Sequence, residues 1–164
     1  MQDERLDGDM SGRPVMAGLP ANLVVFAGLP LVLNGVIFGV GGERASGPQP
    51  GLPPGWAVGT IWVVLFAGMG AARWLLLRTA SSHGERRRAE WVSLLAFICL
   101  LYPLYTGGFS NEFDGLIGNV VTLLTAVPIA LYAFRRAALA GWCLAPLVVW
   151  LSFAAWATAC LVYR

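Results

Sequence analysis

The sequence predicts an all-α integral membrane protein built as a bundle of five transmembrane helices. Of its 164 residues, 57% are hydrophobic and only 12% are charged, and the mean hydropathy is +0.68. A soluble domain carries about 25% charged residues, and a disordered chain is richer in charge and poorer in apolar residues. Both classes are therefore excluded. Five stretches without a charged residue are long enough to cross a bilayer, which takes about 20 apolar residues per helix.

These charge-free stretches set the predicted elements. The second stretch opens with residues 45–55, which are too rich in Gly and Pro for a helix, so the second helix begins at Trp56. Residues 1–14 are polar and predict a disordered tail, followed by one transmembrane domain over residues 15–164. Within that domain we predict helices at about residues 19–40, 56–77, 91–109, 115–134 and 138–163.

The arginines predict how the chain is oriented in the membrane. With the five helices threaded alternately, Arg44 and Arg164 fall on one side, and eight arginines share the side of the N-terminus: Arg5, Arg13, Arg78, Arg86, Arg87, Arg88, Arg135 and Arg136. The positive-inside rule then places the N-terminus in the cytoplasm. Because the chain uses Arg and no Lys, we expect a bacterial gene and hence a cytoplasmic membrane.

Reactive side chains predict neither a metal site nor a cofactor. The three cysteines, Cys99, Cys143 and Cys160, lie in apolar runs without metal-ligand spacing. All nine acids lie outside the predicted helices, which disfavours an ion-coupled transporter. A net charge of +2 gives no basic surface for nucleic acid. A non-catalytic protein is therefore favoured over an enzyme.

Small residues in the first predicted helix indicate close packing. Gly35 and Gly39 form a Gly-x-x-x-Gly pair, which lets two helix backbones approach each other. This pair serves either packing inside the bundle or a homodimer, and the sequence leaves both alternatives open.

An aromatic stripe runs along the second predicted helix. Trp62, Phe66, Met69 and Arg73 recur at helical spacing and share one face. This pattern indicates either packing between helices or an apolar ligand cavity. Arg73 lies about one turn from Arg78, so we expect its long side chain to extend to the same membrane interface.

The second helix resembles that of the TspO/MBR family, the tryptophan-rich sensory and translocator proteins. The family pattern is P-P-x-W-x-F-G-x-x-W-x-x-L-Y-x-x-M-G, and the residues in register are Pro53, Pro54, Trp56, Gly59, Trp62, Leu65 and Met69. In the fifth helix, Pro146 and Trp150 match the family's P-x-x-x-W. The family's N-x-x-W-[ST]-P in the third helix is replaced by residues 98–103, Ile-Cys-Leu-Leu-Tyr-Pro.

The resemblance implies an apolar pocket enclosed by the five helices, with porphyrins, sterols or synthetic aromatic molecules as ligands. Carried over residue by residue, the pocket would be lined by Trp56, Val58, Trp62, Phe66, Trp150, Leu151 and Ala154. We therefore predict a membrane receptor or sensor for a porphyrin or sterol-like ligand, which could also aid its transport. Two alternatives remain: a porphyrin-degrading enzyme, as proposed within the family, and a non-catalytic assembly partner.

Overall fold

Five α-helices and no strand occur in the part of the chain that the computed structural model describes, residues 18–41, 55–102 and 112–163. The side chains of residues 34, 37–41, 55, 56 and 112 lie outside that description, as does the predicted N-terminal tail. The helices are α1 (Leu19–Gly41), α2 (Gly55–Thr79), α3 (His83–Leu100), α4 (Glu112–Arg136) and α5 (Ala138–Val162).

Helix α2 is the centre of the bundle. It packs against α1, α3 and α5, whereas α1 and α3 have little direct contact with each other. The most extensive interface joins α4 and α5, which are separated in sequence by Ala137 alone. The fold is therefore a tight α4–α5 hairpin and a central α2, with α1 and α3 packed separately on α2.

Three of the five helices are long and apolar enough to cross a membrane: Ala57–Thr79, Phe113–Arg136 and Ala138–Val162. These segments confirm an integral membrane protein. The apolar part of α1 within the described residues, Leu19–Leu33, is shorter. Helix α3 carries charges from Glu85 to Glu90 in its first half. Five membrane crossings therefore remain a prediction for α1 and α3.

Helix α3 begins at His83, about two turns before the predicted start at Trp91. Ser82 is the N-cap, and its Oγ accepts a hydrogen bond from the backbone N–H of Glu85 (3.2 Å). In return, Glu85 Oε2 accepts a hydrogen bond from the backbone N–H of Ser81 (2.8 Å). This exchange resembles a capping box and satisfies N–H groups that a helix start leaves unpaired. The predicted loop is therefore helical.

Small residues let α2 approach its neighbours closely. A Cβ added at Gly68 would lie 2.6 Å from the carbonyl oxygen of Cys143 in α5. One added at Gly70 would lie 2.9 Å from the carbonyl oxygen of Asn22 in α1. By contrast, a Cβ added at Gly35 would meet nothing within 4 Å among the described residues. Close packing around α2 therefore depends on Gly68 and Gly70, and Gly35 plays no part in it.

We expect Gly68→Ala to lower the thermal stability of the purified protein in detergent. An alanine in the middle of a helix normally stabilises it by about 0.5–1 kcal/mol relative to glycine. At Gly68, however, the added methyl group meets backbone and forces α2 and α5 apart, which typically costs about 1–3 kcal/mol. The matched control is Gly59→Ala on the same helix, because a Cβ there meets nothing within 4 Å.

The measurement is the unfolding temperature from circular dichroism. Gly59→Ala should leave it unchanged or raise it, and Gly68→Ala should lower it. Equal unfolding temperatures for the two variants would contradict the close approach of α2 to α5.

Candidate ligand-binding site

The stripe predicted on α2 faces the interior of the bundle. Met69 has 0% of its surface exposed and Phe66 has 3%, while Trp62 is half-buried and packs against the core. The ring centroids of Trp62 and Phe66 lie 5.9 Å apart. Those of Trp62 and Tyr102, at the end of α3, lie 5.7 Å apart. We call Trp62, Phe66 and Tyr102 the aromatic cluster.

A line of polar side chains continues from the aromatic cluster across α4 and α5. Tyr102 shares a side-chain hydrogen bond with Asn119 of α4. Asn119 Nδ2 donates to Thr158 Oγ1 of α5 (3.1 Å), and Thr158 Oγ1 donates to the backbone carbonyl of Ala154 (2.8 Å). Aromatic and hydrogen-bonding groups from α2, α4, α5 and the residues just after α3 therefore meet inside the bundle.

Beside Phe66, a partly open cleft lies between α1 and α3, with α2 as its floor. Its volume is about 380 Å³, at the small end of the range for ligand pockets. Its lining is mostly apolar: Ala21, Asn22, Val25, Phe26, Leu29, Phe66, Arg73, Ser93, Ala96, Phe97 and Leu100. Phe66 belongs to both the cleft and the aromatic cluster, so the two regions adjoin.

Arg73 forms the polar part of this cleft. Its Nε and Nη2 donate to the two carboxylate oxygens of Glu90 in α3 (3.0 and 2.7 Å). Its Nη1 donates to Oδ1 of the buried Asn22 in α1 (2.7 Å). Arg73 thus connects three helices, instead of extending to the interface beside Arg78 as the sequence suggested. We call Arg73, Asn22 and Glu90 the arginine tie.

The arginine tie also sets the charge state of Glu90, which lies outside the three membrane-spanning helices. Partial burial acts to raise the pKa of the Glu90 carboxyl. Hydrogen bonds from Arg73 and Ser93, together with the positive charge of Arg73, outweigh burial and hold that pKa below its usual value of 4.5. Glu90 therefore stays ionised at neutral pH and balances the charge of Arg73.

The residues expected in the pocket fall into separate groups. Trp62 and Phe66 contact each other, and Phe66 lines the cleft. Val58 is half-buried, and the side chain of Trp56 lies outside the described residues. On α5 the expected residues are Trp150, Leu151 and Ala154, and none of them lines the cleft between α1 and α3.

The α5 residues have other neighbours. Leu151 is fully buried in the core. Trp150 packs at the edge of this core and contacts Phe153, with ring centroids 5.7 Å apart. Phe153 in turn contacts the exposed Trp156 at 6.1 Å. Trp150, Phe153 and Trp156 therefore form a row that runs from the core to the surface.

Three site residues could not be identified from the sequence. Tyr102 occupies the Ser/Thr position of the family's helix 3 pattern, directly before Pro103, and this was the available signal. Asn119 and Thr158 are polar residues inside apolar helices, which is itself a sign of function in a membrane protein. Within the described ranges, no group of His, Cys, Asp and Glu side chains could hold a metal ion.

An all-helical chain with membrane-spanning segments and an aromatic interior is an integral membrane protein of the helical-bundle class. The chain belongs to the TspO/MBR family, which it matches over residues 44–164. This match covers most of the chain and confirms the resemblance seen in the second and fifth helices. It begins after α1. Comparisons with curated proteins and with solved structures gave no match. Family membership indicates a membrane sensor or a transporter-like protein.

We expect Glu90→Gln to destabilise the protein at neutral pH, because it leaves Arg73 with a cationic side chain only 15% exposed and no counter-charge. A depressed carboxyl pKa stabilises the folded state at pH values above the carboxyl's usual pKa. That contribution is lost as the pH falls through the lower, folded-state pKa. The difference in unfolding temperature between wild type and Glu90→Gln should therefore shrink as the pH falls below about 4.5.

The control is Arg73→Met combined with Glu90→Met, which removes both charges together and should cost less than Glu90→Gln alone. Thermal unfolding in detergent between about pH 7 and about pH 3 measures all three proteins. A pH-independent difference between wild type and Glu90→Gln would be inconsistent with the ion pair.

Proposed function

We propose that this protein is a membrane receptor or sensor that binds an apolar aromatic ligand, a porphyrin or a sterol-like molecule, inside the helix bundle, and that binding also serves transport of this ligand. The observation that carries the proposal is the aromatic cluster beside an apolar cleft. Flat conjugated molecules gain energy from contact with indole and phenyl rings, and the cleft offers apolar area to bury.

The binding free energy of a tightly held ligand requires contacts with both the aromatic cluster and the cleft. Micromolar affinity corresponds to about 8 kcal/mol. Each aromatic contact adds about 0.5–1.5 kcal/mol beyond the burial of area, so three rings supply only part of this. The remainder must come from apolar surface, at about 25 cal/mol per Å². A ligand that reaches the aromatic cluster while it fills the cleft meets this requirement.

We propose the same ligand contacts that the family resemblance implies: Trp56, Val58, Trp62, Phe66, Trp150, Leu151 and Ala154. On α2, the cleft supports this set, since Phe66 lines it and Trp62 contacts Phe66. On α5, the support is the position of Ala154, whose carbonyl accepts the hydrogen bond from Thr158, and Asn119 links Thr158 to Tyr102.

We further propose that all five helices cross the membrane, with the N-terminus in the cytoplasm of a bacterial cell. The arginines at the ends of α2 and α4 and at the start of α3 support this orientation, because these three ends meet at one end of an alternating bundle. The ion pair between Arg136 of α4 and Glu85 of α3 joins two of these ends.

We expect Trp62→Ala to weaken porphyrin binding by about tenfold, since it removes one aromatic contact and its buried area. Titration of the purified protein with protoporphyrin, followed by tryptophan fluorescence quenching, measures the affinity. Trp142→Ala is the matched control, because Trp142 is 67% exposed and contacts only Phe134 among the described ring pairs. Quenching that does not saturate, or that is equal in both variants, would remove the proposal.

A second candidate function is that of an assembly partner that forms a homodimer through Gly35 and Gly39. Gly35 is exposed, and a Cβ added there would meet no atom of the described residues within 4 Å. The neighbouring Val32 and Val36 are also exposed. This face therefore remains open to a second α1, which would use the close approach that a Gly-x-x-x-Gly pair permits. The surroundings of Gly39 lie outside what the structure describes.

For this candidate, Gly35→Leu should abolish dimers that chemical cross-linking detects in native membranes. The substitution closes the groove between the glycines and keeps the two helix backbones apart. Gly84→Leu is the control, because it places the same side chain at an exposed glycine in the first turn of α3. Dimers that persist in Gly35→Leu would exclude this interface.

A further inference from the structure

Among the buried side-chain polar atoms of the described residues, one lacks a hydrogen-bond partner. Asn119 is 1% exposed, and its Oδ1 atom has no hydrogen-bond partner among the described residues. A buried acceptor without a donor costs about 1–3 kcal/mol, and native structures contain few of them. Because the unpaired oxygen lowers stability, it indicates that Asn119 has a role other than stabilising the fold.

The hydrogen bonds of Thr158 fix which atom of the Asn119 amide is unpaired. A hydroxyl has a single proton, and Thr158 donates it to the carbonyl of Ala154 (2.8 Å). Thr158 Oγ1 can then only accept from Asn119 (3.1 Å), so the NH₂ group of the amide must face it. Rotating the amide by half a turn would require Thr158 to give up its bond to the carbonyl of Ala154 in order to donate to Asn119. The oxygen is therefore the atom that lacks a partner.

The unpaired oxygen lies at the edge of the aromatic cluster. Asn119 shares a hydrogen bond with Tyr102, and the ring of Tyr102 lies 5.7 Å from that of Trp62. A buried acceptor and aromatic rings from α2 and from the end of α3 therefore occur together at this end of the bundle.

We infer that Asn119 is a specificity-determining residue whose Oδ1 accepts a hydrogen bond from an O–H or N–H group of the ligand. This inference rests on the proposed function and defines the ligand class: aromatic or fused-ring molecules with a neutral hydrogen-bond donor at the buried end. Asn119, Tyr102 and Thr158 carry no charge, so they offer no counter-charge to an ammonium group. An unpaired acceptor also disfavours a carboxylate there.

The test uses two probes that differ only in the methyl group that replaces the hydroxyl proton, pyrenemethanol and its methyl ether. Both carry the same fused rings, but only the alcohol can donate a hydrogen bond. Energy transfer from tryptophan to pyrene in the detergent-purified full chain measures each dissociation constant. The wild type should bind the alcohol about tenfold more tightly, because the ether leaves the Asn119 oxygen unpaired.

Asn119→Leu replaces the amide by an apolar group of similar size and should reduce this preference to about twofold or less, with ether binding retained. Thr122→Val is the matched control. Thr122 is equally buried on α4, and its hydroxyl donates to the backbone carbonyl of Gly118 (2.7 Å). This variant should keep the wild-type preference.

The outcomes separate this inference from the proposed function. If wild type binds both probes equally, or if Asn119→Leu keeps the preference, the inference is wrong and the proposed function stands. If neither probe and no porphyrin binds, the proposed function itself fails. The wild-type comparison needs no variant, so equal binding of the two probes contradicts the inference even where Asn119→Leu does not fold.

Discussion

The close approach of α2 to its neighbours is the constraint on which the rest of the structure depends. Gly68 and Gly70 bring the backbone of α2 against α5 and α1, with no room for a methyl group at either position. In a bilayer, helices gain nothing from leaving lipid for one another except packing and hydrogen bonds, so this contact is a main source of cohesion. Because α2 lies at the centre, its stripe of large side chains points inward, and the aromatic cluster, the cleft and the arginine tie all follow from that placement.

The locations of the helices could be predicted from the sequence, since a charge is too costly to place inside the bilayer and its absence over about 20 residues is a strong signal. The residues at which the helices begin and end could not be predicted in this way. Helix α3 extends back to His83 because Ser82 and Glu85 cap it, and capping is independent of hydropathy. Which glycines make the close contacts between helices could not be predicted from spacing either. The spacing of Gly35 and Gly39 says nothing about which glycine has another backbone beside it.

The residues of the candidate site, too, could be predicted from the sequence only in part. Trp62 and Phe66 could be placed on one inward face from helical spacing alone. Asn119 on α4, Thr158 on α5 and Tyr102 just after α3 come together in the fold, and no local pattern encodes contacts between residues so far apart in sequence. The pairing of Arg73 with Glu90 could not be predicted for the same reason, because Glu90 lies 17 positions away on the next helix.

The single residue between α4 and α5 has a consequence for how the bundle adapts to its contents. With only Ala137 to join them, neither helix can slide or tilt far without carrying the other, so the pair behaves as one stiff unit. Helix α1 is different, because within the described residues its extensive packing is against α2 alone. For the proposed ligand-binding role, this arrangement predicts that adjustment to ligands of different size involves α1 and not the α4–α5 hairpin.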